Sequence, residues 1–395
     1  MIPYKHQVDN APIITAMIET YGMAYLAWEE RTGKTLTAIL AVEALPDAKK
    51  VQVVTQKKAI AGWEETLAAF GHKKQYSVTN FHNAHKQDKP DLVIVDEAHN
   101  FLSAFPKPGK IWREMRTLCK DLPLLYLSAT PHAQGVQMLY HQFALSYRSP
   151  WAKYPNFYSW FKTFGDLYQI EMQGRKVNQY DKCDIDFVLG CVDHLFLTKT
   201  RKELGFTHEP EDKVHYIELG DMTKLVYNDL LDHNLVELNA GTLVCDTTSK
   251  LRYSLHMLEG GTAKIEEHRF VLANREKVDY ILEHFGDTKD LVIMYNYIAE
   301  REKLEDSFKH ATILQATSYA EGVDLHEYRN LVIYSQDFRT AKHTQRRARQ
   351  ANIKRDIPII VHFLLVKKAI SHQVYKTVSK NKRNFVDSVF KRTAI

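Results

Sequence analysis

Short apolar runs separated by helix-like segments dominate the first third of the chain. The runs have the length of strands and occupy residues 25–28, 51–55, 76–81, 91–99 and 123–131, the last two ending in polar side chains. Between them, Ile60, Trp63, Leu67 and Phe70 recur at the spacing of a helix with one buried face. Apolar strands that alternate with helices predict a parallel sheet covered by helices on both faces.

The same alternation returns in the last part of the chain, at residues 214–219, 291–295, 311–315, 330–335 and 358–366. We therefore predict an α/β fold with two RecA-like parallel-sheet domains. Residues 1–146 form the first domain, and residues 213–395 form the second together with its linker helices. Residues 147–212 lack the alternation and are rich in aromatic residues, which predicts a helical insertion. We expect these aromatic side chains to form the core of the insertion; stacking on nucleic-acid bases is the alternative.

The composition is that of a globular protein of 395 residues, with 45% hydrophobic and 26% charged residues. A net charge of +5 is compatible with a polyanionic partner but does not establish one. No apolar run approaches the ~18–20 residues of a membrane span, and the first residues do not resemble a signal peptide. We therefore expect a cytoplasmic protein with no membrane partner. The spacing of the four cysteines, Cys119, Cys183, Cys191 and Cys245, fits no usual zinc site.

A glycine-containing turn follows the first apolar run. Gly33, Lys34 and Thr35 then open a helix-like segment. This order predicts a phosphate-binding loop, in which backbone N–H groups and the helix dipole attract phosphate. Lys34 would reach the β- and γ-phosphates, and the Thr35 hydroxyl would hold Mg²⁺. The loop departs from the usual pattern because Trp28 replaces its first glycine and Arg31 replaces a small residue.

Three polar clusters lie at the ends of predicted strands of the first sheet. They are residues 32–35, Asp96 with Glu97, and residues 128–130. Ligands of parallel α/β sheets bind beyond the carboxyl ends of the strands. The coincidence of three clusters at one edge predicts a single site there, whereas an exposed turn is the alternative for Asp96 and Glu97.

The clusters belong to an ordered series along the chain. Its members are Gln7, Gly-Lys-Thr at 33–35, Asp-Glu-Ala-His at 96–99, Ser-Ala-Thr at 128–130, Glu-Gly-Val-Asp-Leu at 321–325 and Gln-Arg-Arg-Ala-Arg at 345–349. This series resembles superfamily-two helicases and translocases of the DEAH-box type, in which two RecA-like domains face one ATP. Residues 197–203, 250–252 and 345–358 resemble the Swi/Snf-type branch, particularly its small phage-encoded DNA helicases. The resemblance extends from about Tyr4 to Phe390.

The resemblance implies an ATP-dependent DNA helicase or translocase that uses ATP and Mg²⁺, in the host cytoplasm if it is phage-encoded. The catalytic residues it implies are Lys34, Asp96, Glu97, Gln345 and Arg349. The ATP contacts it implies are Gln7, Thr32, Gly33, Lys34, Thr35, Gly322 and Asp324, with Thr35 and Asp96 as Mg²⁺ ligands. The nucleic-acid contacts it implies are Gln56, Lys57, Thr79, Asn80, Thr317 and Ser318. Contacts of this kind to the phosphate backbone carry little sequence preference.

Several alternatives stay open at this point. The last motif can be aligned with the family in two registers. In one, Gln345 and Arg349 occupy the family's glutamine and first arginine positions, and Asn352 falls where a second arginine is expected. In the other, Arg346 and Arg349 are the arginine pair. The basic segment 339–355 could instead be a solvated face. We expect duplex or branched DNA as partner and a monomeric chain. An RNA helicase and a nucleotide-gated nucleic-acid-binding protein with poor turnover are the alternative functions.

Overall fold

The protein is described by a computed structural model that covers residues 1–132, 135–172, 175–316, 325–380, 384–386 and 389–395. The chain divides into two compact units, Met1–Gly205 and Phe206–Ile395. The division falls within residues 147–212, the segment that the sequence predicts to be an insertion. Each unit is built around its own parallel sheet.

The elements of the first unit are numbered in chain order. They are α1 (Lys5–Tyr21), β1 (Met23–Trp28), α2 (Lys34–Glu43), β2 (Lys50–Thr55), α3 (Ile60–Phe70), β3 (Gln75–Asn80), β4 (Leu92–Asp96), α4 (His99–Leu102), α5 (Lys110–Cys119), β5 (Leu124–Leu127), α6 (Leu139–Phe143), α7 (Phe157–Phe164), β6 (Tyr168–Met172), β7 (Arg175–Gln179), α8 (Ile185–Gly190) and β8 (Phe196–Lys199).

The first sheet has six parallel strands in the order β3-β2-β4-β5-β1-β8. Its central strands are short and apolar, and residues 92–95 and 124–127 are buried. Strand β1 lies between β5 and β8, because Tyr25 is paired with Tyr126 on one side and with Phe196 on the other. The carboxyl ends of β4, β5 and β1 are therefore neighbours, and the three predicted polar clusters share one sheet edge.

The segment after β5 packs against the first sheet. Trp151, Phe157, Trp160 and Phe164 are each at most 4% exposed and belong to the core that contains β1, β4 and β5. This confirms that these aromatic residues form a core, and their burial excludes stacking on bases. The insertion contains helices, as predicted. It also contains an antiparallel hairpin, β6–β7, and strand β8 of the first sheet, neither of which the sequence pattern predicts.

The elements of the second unit continue the numbering. They are β9 (Pro210–Tyr216), α9 (Asp221–His233), β10 (Leu235–Leu238), β11 (Gly241–Val244), α10 (Thr248–Glu259), β12 (Thr262–Ile265), β13 (His268–Val271), α11 (Glu276–His284), β14 (Leu291–Tyr295), α12 (Ile298–Ser307), β15 (Thr312–Gln315), β16 (Asn330–Ile333), α13 (Thr340–Arg347), β17 (Ile359–Leu365), α14 (Ile370–Tyr375) and a π-helical turn, Lys376–Lys380.

The second sheet has five parallel strands in the order β15-β14-β16-β17-β9. Strand β9 forms one edge, and seven of its residues pair with β17, from Pro210 with Ile359 to Tyr216 with Leu365. Hairpins β10–β11 and β12–β13 are separate two-stranded sheets. The predicted fold class, an α/β chain with two RecA-like parallel sheets, is confirmed by the topology of the two units.

Candidate nucleotide-binding site

The predicted phosphate loop joins the end of β1 to the start of α2. Gly33 precedes the helix with φ +81°, a left-handed conformation that favours glycine. A Cβ atom at Gly33 would lie 2.2 Å from Nε2 of Gln7, so a side chain would not fit there. Gly33 provides no side-chain hydrogen bond to the first turn of α2, and that turn contains no acidic residue. The start of this ten-residue helix is therefore suited to an anion.

Lys34 is folded into the loop. Its ammonium group donates hydrogen bonds to the carbonyl oxygens of Trp28 at 3.0 Å and Glu29 at 2.9 Å. Burial lowers the pKa of Lys34 below its usual value, and the negative charges of Glu97, Glu30 and Asp96 oppose this shift. The carboxylates at the end of β4 therefore favour the charged form of Lys34.

Gln7 fastens α1 to the loop. Its side chain is 3% exposed, Nε2 donates to the carbonyl of Gly33 at 3.0 Å, and Oε1 accepts from the backbone N–H of Tyr4 at 2.8 Å. Thr32 is also buried, and its hydroxyl donates to the carbonyl of Glu29 at 2.8 Å. Both residues hold the shape of the loop, and the adenine contact of Gln7 stays a prediction.

Asp96 ends β4 with its carboxylate held from two sides. Oδ2 accepts hydrogen bonds from the Thr55 hydroxyl at 2.8 Å and from the Trp63 indole N–H at 2.9 Å. These donors come from the end of β2 and from α3. Asp96 and Thr35 offer carboxylate and hydroxyl oxygens, which are the ligands that Mg²⁺ prefers. No group of three or more metal-ligating His, Cys, Asp or Glu side chains occurs within the described residues.

Glu97 adopts an unusual backbone conformation for a residue with a side chain. Its φ is +52°, and its N–H donates to the carbonyl of Leu127 on the neighbouring strand at 2.7 Å. Its Oε2 lies 3.2 Å from Nδ1 of His99, which in turn lies 2.8 Å from the Ser128 hydroxyl. Left-handed non-glycine residues are costly and often occur at functional sites. The structure therefore links Glu97 and His99 to the end of β5.

Arg201 is a residue of this site that the sequence analysis missed. It follows β8, and its backbone N–H donates to Oε2 of Glu29 at 2.7 Å. Its guanidinium lies 3.7 Å from the Glu29 carboxylate and 3.5 Å from the Glu30 carboxylate. The Arg201 side chain is 8% exposed, and its charge acts on Lys34 against those of the carboxylates. Arg201, which lies within the predicted insertion, therefore closes one side of the phosphate loop.

The predicted nucleic-acid contacts of the first unit follow β2 and end β3. Gln56 is half-buried and Lys57 is exposed, whereas Thr79 is 7% exposed. Oδ1 of Asn80 accepts from the backbone N–H of His82 at 3.0 Å. Because β2 and β3 are adjacent and parallel, these four predicted residues lie at one sheet edge. Four other predicted residues lie outside the described residues: Thr317, Ser318, Gly322 and Asp324.

The arginines of the basic segment differ in their surroundings. Arg346 is 2% exposed; it donates to Oδ1 of Asn296 at 3.1 Å and lies 3.7 Å from the Asp337 carboxylate. Arg347 pairs with the carboxylate of Asp212. Arg349 is 5% exposed. Since Arg346 and Arg349 are both buried, the alternative of a solvated basic face is wrong for them.

Gln345 lies in the last turn of α13. Its side chain is 7% exposed, and its Oε1 accepts a hydrogen bond from the Lys342 ammonium at 3.3 Å. Gln345 and Arg349 thus belong to the second unit, at α13 and the turn that follows it. Their predicted roles toward ATP remain predictions.

Comparison with known proteins gives similarities among solved structures. No family model matches the chain, and no curated protein matches it. The chain is similar to a structure described as the Sulfolobus solfataricus SWI2/SNF2 ATPase core in complex with dsDNA, with 13% identity, 98% of this chain and 93% of that chain covered, and a TM-score of 0.45. It is also similar to the Pyrococcus furiosus Hef helicase domain, with 11% identity, 95% and 98% covered, and a TM-score of 0.49.

Identities this low carry no activity over to this chain. The described residues contain no helix long and apolar enough to cross a membrane.

Proposed function

We propose that the protein is an ATP-dependent DNA translocase or helicase. One observation carries the proposal: the uncapped helix start with Lys34, which follows β1, shares the carboxyl edge of the first sheet with Asp96 and Glu97 at the end of β4. A cation, open backbone N–H groups and two carboxylates are the groups that phosphoryl transfer to water needs.

Each residue then has a defined part in ATP hydrolysis. Lys34 exchanges its bonds to the carbonyls of Trp28 and Glu29 for bonds to the phosphates of ATP. Thr35 and Asp96 are the residues that would hold Mg²⁺, which supplies positive charge to the phosphates. Glu97, fixed beside His99, accepts the proton of the attacking water. For the transition-state cation we propose Arg349, because it belongs to both registers in which the arginine finger can be aligned.

The test is an ATPase assay of the whole chain with duplex DNA, single-stranded DNA, RNA and no nucleic acid. Lys34→Ala should abolish turnover, and Glu97→Gln should retain ATP binding while losing hydrolysis. Lys110→Ala and Glu19→Gln are matched controls, since both side chains are exposed on helices of the same unit. A wild-type rate for Glu97→Gln would refute the proposed water activation.

The nucleic acids separate the proposed function from its alternatives. Stimulation by DNA supports a DNA translocase, and binding should weaken steeply with salt because counterions are released from the phosphates. Equal stimulation by RNA would favour an RNA helicase. ATP binding without stimulation by any nucleic acid would favour a nucleotide-gated binding protein.

A further inference from the structure

A groove lies at the edge of the second sheet, between β9 and α14. Its volume is about 390 Å³, and it is lined by Val214, Tyr216, His372, Tyr375, Lys376 and Lys380. We call it the β9–α14 groove. Within the described residues, β9 pairs on one side only, with β17. The groove therefore runs along an open edge of the second sheet.

The helical wall of the groove carries two positive charges. They belong to Lys376 and Lys380, which are four residues apart and both exposed, and His372 lies four residues before Lys376. Like charges at this spacing destabilise a helix by about 0.2–0.5 kcal/mol per pair. The lysines lie in the π-helical turn Lys376–Lys380, a rare geometry that is frequent at functional sites. Such an arrangement is explained if a bound anion offsets the repulsion.

The carboxylate bonded to the lining residue Tyr375 is already engaged with an arginine. Asp212 pairs with the Arg347 guanidinium and accepts a hydrogen bond from the Tyr375 hydroxyl at 2.8 Å. The described lining residues include no acid. The charges of Lys376, Lys380 and Lys367 all act on His372, adding to burial in lowering its pKa. The electrostatic potential in the groove is therefore positive.

The strand wall of the groove supplies an aromatic face. Tyr216 is the last residue of β9; its side chain is 49% exposed, and its ring meets His372 edge-on at 5.5 Å between centroids. His372 accepts the backbone N–H of Lys368 at Nδ1, 3.1 Å away, so the neutral ring carries its proton on Nε2 and can donate through it. An exposed ring beside lysines is the combination that binds single-stranded nucleic acid.

We propose that the β9–α14 groove binds a single-stranded segment of nucleic acid, with Lys376 and Lys380 on successive phosphates and one base stacked on Tyr216. The proposal rests on the proposed nucleic-acid-dependent function and adds a contact surface to it. An acidic protein segment would pair with the lysines, but its carboxylates would not stack on the exposed Tyr216 ring. We therefore favour nucleic acid.

The test measures binding of labelled oligothymidylate to the whole chain by fluorescence anisotropy, without ATP, across a salt series. Each phosphate contact contributes about 0.7 to the log–log salt slope for single strands. Lys376→Gln/Lys380→Gln should therefore reduce the slope by about 1.4, so wild type loses about sevenfold more affinity than the variant between about 50 and 200 mM salt.

The matched control is Lys289→Gln/Lys309→Gln. Both lysines are exposed and precede β14 and β15, at the amino ends of strands away from the β9 edge. This control should leave the slope unchanged. Tyr216→Ala should weaken binding about 5- to 150-fold through lost stacking, whereas Tyr216→Phe should bind like wild type.

Three results would overturn the proposal. The first is a slope for Lys376→Gln/Lys380→Gln equal to that of the control, and the second is wild-type affinity for Tyr216→Ala. The third is polyglutamate binding that depends on the two lysines while oligothymidylate binding does not, which would assign the groove to an acidic protein. The binding assay contains no ATP, so it tests the groove independently of ATP hydrolysis. A chain that binds oligothymidylate through the groove but hydrolyses no ATP would refute the proposed function and leave the groove proposal intact.

Discussion

Replacing Arg201 by glutamine should destabilise the first unit and weaken ATP binding together. The guanidinium lies 3.5 Å from the Glu30 carboxylate, and the two side chains are 8% and 11% exposed. Removing one partner of a buried pair costs about 3–5 kcal/mol. Glu29, the second partner, is 38% exposed, and such pairs contribute at most about 1 kcal/mol because water screens them. We therefore expect a loss of about 3 kcal/mol in the free energy of unfolding.

The effect on ATP follows from the position of Glu30 beside Lys34. Without Arg201, the Glu30 carboxylate competes with the phosphates for the Lys34 ammonium, since both charges act on that lysine. A competing interaction of about 1.4 kcal/mol would raise the Kd for ATP about tenfold. Arg201→Gln/Glu30→Gln should recover most of this affinity, because the competing charge is absent.

The assay is a double-mutant cycle on urea unfolding and on the Kd for ATP. Arg201→Gln, Glu30→Gln and the double variant should show a coupling of about 1.5–3 kcal/mol in the free energy of unfolding. The exposed pair Arg301 and Glu305, at 2.7 Å, is the matched control and should show about 0.3–0.5 kcal/mol. A coupling for the Arg201 pair no larger than that of the control would refute the closing role of Arg201.

Three further predictions follow from single residues. Glu266 lies in the turn between β12 and β13 with φ +52° and an exposed side chain, so Glu266→Gly should raise the free energy of unfolding by about 1 kcal/mol; a lower value in urea unfolding would contradict the strain. Burial lowers the pKa of His362 to about 4. The stability that depends on the neutral His362 ring is therefore fully present above pH ~6.5 and is lost as the pH falls toward 4. The free energy of unfolding measured in urea should drop by about 2 kcal/mol over that range, allowing for screening, and His362→Gln should flatten its pH profile. Arg346→Ala should lower the free energy of unfolding by about 3–5 kcal/mol, whereas Arg349→Ala should reduce turnover ~10³-fold with little change in ATP affinity. If Arg346→Ala is as stable as wild type, the structural role of Arg346 is wrong and Arg346 becomes the candidate for the arginine finger.

The sequence predicted the parallel sheets and the edge that holds the candidate site. Strands such as β4 are apolar on both faces and end abruptly in carboxylates, a pattern that depends only on local order. Gly33 was predictable for the same reason, because a tight turn before a helix needs a residue that tolerates positive φ.

Other parts of the site depend on contacts between distant residues. Trp63 occupies a core position in the helical pattern, yet its indole N–H also binds Asp96, 33 residues away. Strand β8 has four residues, of which only Phe196 and Leu197 are apolar, and so lacks the longer apolar run that predicts a buried strand. Without β8 in the sheet, nothing in the sequence indicates that Arg201 lies beside Glu29. The burial of Arg346 could not be predicted from the sequence either, because arginines in a basic segment are usually solvated.

Strand β8 pairs with β1 but is synthesised long after it, and this order has a consequence for folding during synthesis. Until β8 emerges from the ribosome, β1 has an open edge, and the phosphate loop lacks Arg201, which lies 172 residues after Glu29. At about 5–20 residues per second, that interval lasts about 9–34 s. An unpaired apolar strand is a site of aggregation during such a delay. The nascent first unit should therefore be most dependent on chaperones while its insertion is being translated, and least so once Lys199 pairs with Trp28.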